Sequence, residues 1–219
     1  MPPEPNTKPE PWRFPETLPS RFETRRLVVR TYEPEDALAV LLAIRSSRES
    51  LLPWLPWAAW DHRTIMEAVA TLTRFKSEAN AASLAAGRLH VPYGVYDRSS
   101  GRILGGTGLH SFRPAIHQVE IGYWLREGER GRGICTEAVG GLLTTIFKPQ
   151  GDGGWGLRRA EIVCAGGNAR SEAVPRRLGL TPQGRKASDR WIDGRGWDDT
   201  IEFGVLAEQW DAAAGRVRG

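Results

Sequence analysis

The 219-residue chain carries 30 Lys and Arg against 26 Asp and Glu, a net charge of +4, and is 40% hydrophobic and 26% charged, the balance of one soluble globular domain. The positive excess suits an anionic ligand but is too small and dispersed for a nucleic-acid surface, and no apolar run approaches the ~20 residues that a membrane span needs. Two cysteines, Cys135 and Cys164, make neither a disulfide framework nor a zinc signature, and four histidines without HxH or HxxxH spacing give no metal site.

Residues 1–20 are proline-rich and polar and lack the apolar stretch of a secretory signal, so they read as a flexible lead-in to a cytoplasmic protein. A folded domain is expected over 21–212, with 213–219 as a tail. Arg26–Arg30 reads as a short strand, and the acids and proline of 33–36 open a helix over 37–44 that is apolar almost all round. In Leu51–Trp60, Pro53 and Pro56 forbid a regular helix, leaving an apolar loop that carries Trp54, Trp57 and Trp60. A helix is expected over 64–86. The period then changes: strands at 93–96 and 102–109 flank a turn at 97–101, as in a hairpin. In the strand 119–125, Val119, Ile121, Tyr123 and Leu125 share one face and Glu120, Gly122 and Trp124 the other. A glycine-rich turn, 128–133, leads to a helix over 136–147; a strand at 160–165, a helix at 168–178 and a strand at 201–206 complete the chain. Strands and helices mix around a long antiparallel hairpin, so the class is α/β (α+β) in one domain.

The chemistry points to the strand, glycine turn and helix of residues 120–138. A helix N-terminus leaves backbone N–H groups without partners and carries the positive end of the helix dipole. Gly131 and Gly133 admit an anion close to the backbone, and Arg130 and Arg132 add charge, so a diphosphate is the natural guest. Neither a GxxxxGK[ST] loop nor a GxGxxG dinucleotide fingerprint is present.

Arg130-Gly-Arg-Gly133-Ile-Cys135 resembles the [QR]-x-x-G-x-[GA] pyrophosphate loop of the GNAT superfamily of N-acetyltransferases. The flanking EIGYWL and TEAV are similar to its RimJ/RimL branch, which acetylates ribosomal-protein N-termini. TRRLVVR at 24–30, LPWLPW at 52–57, GGTGL at 105–109, NARS at 168–171, RLGL at 177–180 and WDDT at 197–200 resemble further segments of that branch in the same order. Two positions depart from the pattern: Cys135, where Gly or Ala is usual, and Pro175 inside the last helix.

The resemblance implies a single GNAT-like domain whose mixed central sheet, flanked by helices, has two parallel strands that splay apart to admit acetyl-CoA as co-substrate. The backbone of Trp124, Leu125 and Arg126 would pair with the pantetheine arm, and Asn168 would bond to it. The backbone from Arg130 through Gly131, Arg132, Gly133, Ile134 and Cys135 to Thr136 would hold the pyrophosphate. For transfer to a primary amine, Leu125 N–H would stabilise the oxyanion and Ser171 would protonate the thiolate, because no tyrosine lies in the last helix. Glu120 would take the ammonium proton, directly or through water, ahead of His110 and His117. Trp54 and Trp57 would wall the acceptor site. The acceptor is a peptide N-terminus or a small-molecule amine such as an aminoglycoside, a polyamine or an amino acid; a catalytically silent acyl-CoA-binding module is the rival from another class. Tryptophan-rich surface segments suggest a homodimer.

Overall fold

The structure is a computed structural model and describes residues 9–218. In chain order it contains β1 (Arg21–Glu23), β2 (Leu27–Thr31), α1 (Ala37–Arg45), α2 (Arg48–Leu51), α3 (Ile65–Glu78), α4 (Ala81–Ala85), β3 (Val91–Asp97), β4 (Ile103–Arg113) and β5 (Gln118–Leu125). There follow α5 (Ile134–Phe147), β6 (Arg159–Ala165), α6 (Ala169–Arg177), β7 (Thr181–Ile192), β8 (Gly196–Leu206), β9 (Trp210–Asp211) and β10 (Arg216–Val217). Eight strands form one sheet in the order β1-β2-β3-β4-β5-β6-β8-β7, antiparallel at every junction but one. The exception is β5–β6, which run parallel and pair only from Gln118↔Arg159 to Glu120↔Glu161. Beyond Glu120 the two strands part, opening a wedge in the middle of the sheet.

Alternation along each strand gives the sheet two apolar faces. On one, Leu27, Val29, Val91, Tyr93, Leu109, Val119 and Ile121 meet Ala138, Val139, Leu142, Leu143 and Ile146 of α5. Leu142, Leu143 and Ile146 are fully buried, each contributing about 1.5–3 kcal/mol relative to exposure. On the other face Tyr32, Tyr96 and Ile103 pack beneath Val40, Ile44, Ala68 and Leu72 of α1 and α3.

Four expectations change. The helix expected over 64–86 is two helices: Asn80 leaves helical geometry and its Oδ1 accepts from Ser83 N–H at 3.0 Å, an N-cap that starts α4. The segment 181–192 forms an edge strand whose residues are nearly all exposed, so it lacks the alternation that marks a strand. Residues 1–8 of the expected lead-in lie outside the described residues. Within 9–20, Trp12 is buried, stacks on Phe112 and donates from Nε1 to Trp155 O at 2.7 Å, so this stretch packs on the domain. In the tail expected over 213–219, β10 pairs with β9. As expected, helix α6 runs through Pro175, from an Asn168 cap.

Candidate active site

The glycine turn ends at Gly133, whose φ of 74° sets the cap of α5. The first intrahelical bond of α5 runs from Glu137 N–H to Gly133 O. The N–H groups of Ile134, Cys135 and Thr136 therefore have no helical acceptor. Thr136 Oγ1 is buried beside them without a partner among the described residues, and nothing occupies the space where side chains on Gly128 and Gly131 would point. Each nearby carboxylate is matched by a cation. Buried Glu129 bridges Arg102 and Arg132, and Glu127 pairs with Arg130. Glu137 accepts from Thr24 Oγ1 (2.6 Å), Arg26 N–H (2.8 Å) and Arg26 Nε (2.6 Å). Burial pushes the Glu137 carboxyl up, but these bonds outweigh it and hold the pKa below the usual range. Arg26 Nη1 also donates to Arg132 O, fastening β2 to the turn. The residues present fit a diphosphate: free N–H groups, an orphaned hydroxyl, room for close approach and no unmatched negative charge.

Arg130 and Arg132 mainly hold the turn in shape, Arg130 by reaching Ser50 of α2 as well as Glu127. Cys135 does not crowd the cradle. Its side chain packs against the main core, and burial pushes its thiol up to about 12.

The wedge between β5 and β6 exposes backbone on one side of β5. Arg126 N–H bonds to Leu104 O at 2.8 Å and Arg126 O accepts from Glu129 N–H. Successive residues of an antiparallel strand turn their polar groups to opposite sides. Trp124 therefore also faces β4, its O lying 2.2 Å from where a Gly105 Cβ would stand. Of the three residues expected to offer backbone to a ligand, only Leu125 faces the wedge, and Tyr123 joins it from the same side. The sequence alternation did not reveal this, because it fixes side-chain faces and not which neighbour takes the hydrogen bonds.

Across the wedge, Asn168 Oδ1 caps α6 by accepting from Ser171 N–H at 3.1 Å, so bonding to a ligand falls to its Nδ2. Tyr123 Oη donates to Ser171 O (2.8 Å) and accepts from Ser171 Oγ (3.2 Å). Pro175 explains the free carbonyl: it has no N–H to donate to the residue four positions back. Burial raises the Tyr123 pKa far above the ordinary value, so its hydroxyl stays protonated. β5 thus brings a tyrosine hydroxyl to the start of α6, which has no tyrosine of its own.

On the α1–α3 face a 450 Å³ cavity lies against the sheet beside Tyr123 and Trp124. Trp57 lines it and meets Trp124 edge-on, centroids 6.2 Å apart. Trp54, expected beside it, stands outside, under Arg195 of the β7–β8 turn. At one end are His90 and His110, and behind His110 lies Glu120, Oε2 to Nδ1 3.6 Å. His117 is elsewhere, its Nε2 against Glu10 O.

Residues 26–181 match the family described as Acetyltransferase (GNAT) domain. The chain belongs to the GNAT acetyltransferase family. A Bacillus subtilis (strain 168) protein named as a ribosomal N-acetyltransferase, YdaF, is 28% identical over 187 residues, which are 84% of this chain and 93% of that protein. The ribosomal-protein-S5-alanine acetyltransferase of Vibrio fischeri superimposes with a TM-score of 0.71 at 24% identity, over 87% of this chain and 98% of that one. RimL, a ribosomal L7/L12 alpha-N-protein acetyltransferase in complex with coenzyme A, superimposes with a TM-score of 0.70 at 20% identity, over 84% of this chain and 95% of that one. This GNAT enzyme transfers acetyl from acetyl-CoA to an amine.

Proposed function

We propose that this GNAT enzyme acetylates the N-terminal amine of a protein. The carrying observation is the charge of the cavity: among the described residues its one carboxylate, Asp61, is matched by Arg74, so the lining presents no excess of negative charge. A polyamine or an aminoglycoside needs several anions to replace its lost hydration, whereas a peptide terminus brings one ammonium and a largely neutral chain. The relation to YdaF supports the same acceptor class.

Acetyl-CoA supplies the thioester. Leu125 N–H, turned into the wedge, donates to the thioester oxygen as negative charge develops there. The hydrogen-bonded pair of Ser171 and Tyr123 supplies the proton for the departing sulfur, and Glu120 draws the ammonium proton toward the far end of the cavity. Trp57 and Trp124 exclude water from the amine's approach. We also place the enzyme in the cytoplasm as a homodimer, joined through exposed apolar side chains such as Trp60 and Met66; sedimentation equilibrium tests the pairing.

The acceptor is tested with the purified enzyme, acetyl-CoA and a panel of peptides beginning with Ala, Ser or Met, alongside spermidine and kanamycin. Acetylation of peptide α-amines, located by mass spectrometry, is expected at the highest kcat/KM. A higher kcat/KM for spermidine or kanamycin overturns the peptide acceptor.

A further inference from the structure

His110 looks from sequence like a solitary imidazole near a strand end, yet it stands in a built arrangement. It is paired in register with Glu120 across β4 and β5, and the pairing breaks into a bulge between His110 and Arg113. Ser111, inside that bulge, has φ of 52°, in the left-handed region that a serine rarely adopts. Bulges of this kind re-aim side chains and concentrate at active sites. The two nitrogens of the ring have different surroundings. Nδ1 faces Ser111 Oγ at 3.2 Å and Glu120 Oε2 at 3.6 Å. Nε2 lies over Gly122, where a Cβ would come within 3.0 Å of it. The missing side chain therefore leaves Nε2 open to the cavity, while Glu120 itself is not part of the cavity wall.

We propose that His110 takes the proton from the acceptor's ammonium through Nε2, and that Glu120 acts as its positioning partner at Nδ1. The proposal rests on the amine-acetylating function above and names the group through which Glu120 works. Gly122 and Leu125 are three residues apart, about 10 Å along a strand. That length accommodates a hydrogen bond from Nε2 to the amine, the attacking nitrogen and carbonyl, and a second hydrogen bond to Leu125 N–H. In going from ammonium to amide the nitrogen loses two protons. The first passes to His110 Nε2 and on to water. The second ends on sulfur as the C–N bond forms and the C–S bond breaks, relayed by the Ser171–Tyr123 pair. One proton is released per turnover.

The other two imidazoles of the cavity are unsuited to the task. Burial, helped by His110 and Arg74, pushes His90 down to about 4, and burial also lowers His62. The charged and titratable groups around His110 are His90 ahead of β3, Arg74 of α3, Glu120 of β5, and Glu161 of β6 with its partner Arg113. Of these, Glu120 is the one within ion-pair reach.

The test compares wild type with His110→Gln and Glu120→Gln, each checked for folding by circular dichroism. In 15N-histidine NMR of the free enzyme, neutral His110 is expected as the Nδ1–H tautomer, and Glu120→Gln is expected to move the tautomer balance toward Nε2–H. An Nε2–H tautomer in wild type, or a tautomer balance that Glu120→Gln leaves unmoved, overturns the proposal whether or not an acceptor is known. In steady-state assays across pH 5.5–9.5 with the best peptide of the panel, His110→Gln is expected to lower kcat/KM by about 10²–10⁴-fold and abolish the acidic limb. The KM for acetyl-CoA should stay unchanged. Glu120→Gln should shift that limb and keep it. Retention of both rate and limb in His110→Gln overturns the proposal, as does loss of the limb in Glu120→Gln alone. A wild type that acetylates no amine of the panel counts against the acceptor class, and the NMR result then decides the role of His110.

Discussion

Glu137 ties the β1–β2 turn to the diphosphate cradle, so its removal should weaken both fold and binding. Its carboxylate accepts from Thr24 Oγ1, Arg26 N–H and Arg26 Nε at 2.6–2.8 Å. Hydrogen bonds to a charged group each contribute about 1.5–3 kcal/mol. The Arg26 side chain is 39% exposed, however, so water recovers part of its share. Glu137→Ala is therefore expected to cost about 3 kcal/mol, close to the cost of breaking a partly buried pair. For a domain of this size that corresponds to a fall in Tm of roughly 6–12 °C. Glu137→Gln keeps one acceptor but turns an amide donor toward Arg26, and should cost about half as much. The carboxyl's folded-state pKa lies below its unfolded value. Its contribution is therefore complete above about pH 4.3 and drains as pH falls through the folded pKa. Urea titrations of wild type and Glu137→Gln should converge across that acidic window. Because Arg26 also holds Arg132 O, the KM for acetyl-CoA should rise with either variant. A loss below 0.5 kcal/mol in Glu137→Ala, with KM unchanged, refutes the clamp.

His90, uncharged in the fold and pushed down to about 4, is protonated first in the unfolded chain. Stability is thus complete above about pH 6.5 and falls by up to about 1.4 kcal/mol per pH unit toward pH 4; His90→Gln should flatten that slope in urea titrations at pH 4.5–7. A Cβ on Gly106 would lie 2.5 Å from Trp124 Nε1 and from Tyr32 Oη. Gly106→Ala should accordingly displace the Trp124 ring and lower kcat/KM at least tenfold, with acetyl-CoA affinity by calorimetry little changed; an unaltered kcat/KM counts against Trp124 as a wall of the acceptor site. Pro175→Ala restores an N–H that competes for Ser171 O, so helix stability should rise by about 1 kcal/mol while kcat falls. A calorimetric Tm and a single-turnover rate that rise together would remove Pro175 from the mechanism.

The parts of this enzyme legible in its sequence are those where side-chain period and backbone chemistry coincide. The alternation of 119–125, the glycines of 128–133 and the helical spacing of 136–147 place β5, the turn and α5 almost as found. The edge strand β7 escaped because solvent on nearly every residue leaves no alternation. The break at Asn80 escaped because the helical pattern resumes immediately after it. Trp12 is anchored by Trp155, 143 positions away, and no local signal marks such a contact. At the site, Leu125 and Ser171 stand at the wedge and Trp57 lines the cavity, while Glu120 lies behind the cavity wall at His110, and Trp54 and the backbones of Trp124 and Arg126 are engaged elsewhere. Histidines 62, 90 and 110 reach one cavity from three segments far apart in the chain, so their company is a product of folding alone.

The positions that defied local rules are the ones that the proposed chemistry uses. Parallel strands that separate after three paired residues forgo ladder bonds, and the forgone bonds are what a ligand arm can fill. A proline inside a nine-residue helix forfeits an N–H, and the carbonyl it strands holds the tyrosine hydroxyl of Tyr123 beside the wedge. Glycine at 122 weakens a strand that valine would strengthen, and the vacancy opens His110 Nε2 to the acceptor cavity. Each departure carries a cost of order 1–3 kcal/mol, offset by the close-packed interface of α5 with the sheet. The core that α5 builds against the sheet lets the enzyme keep an open wedge and a strained bulge at its centre without losing the fold, and the departures from local rules gather around the parted strands and the cavity beside them.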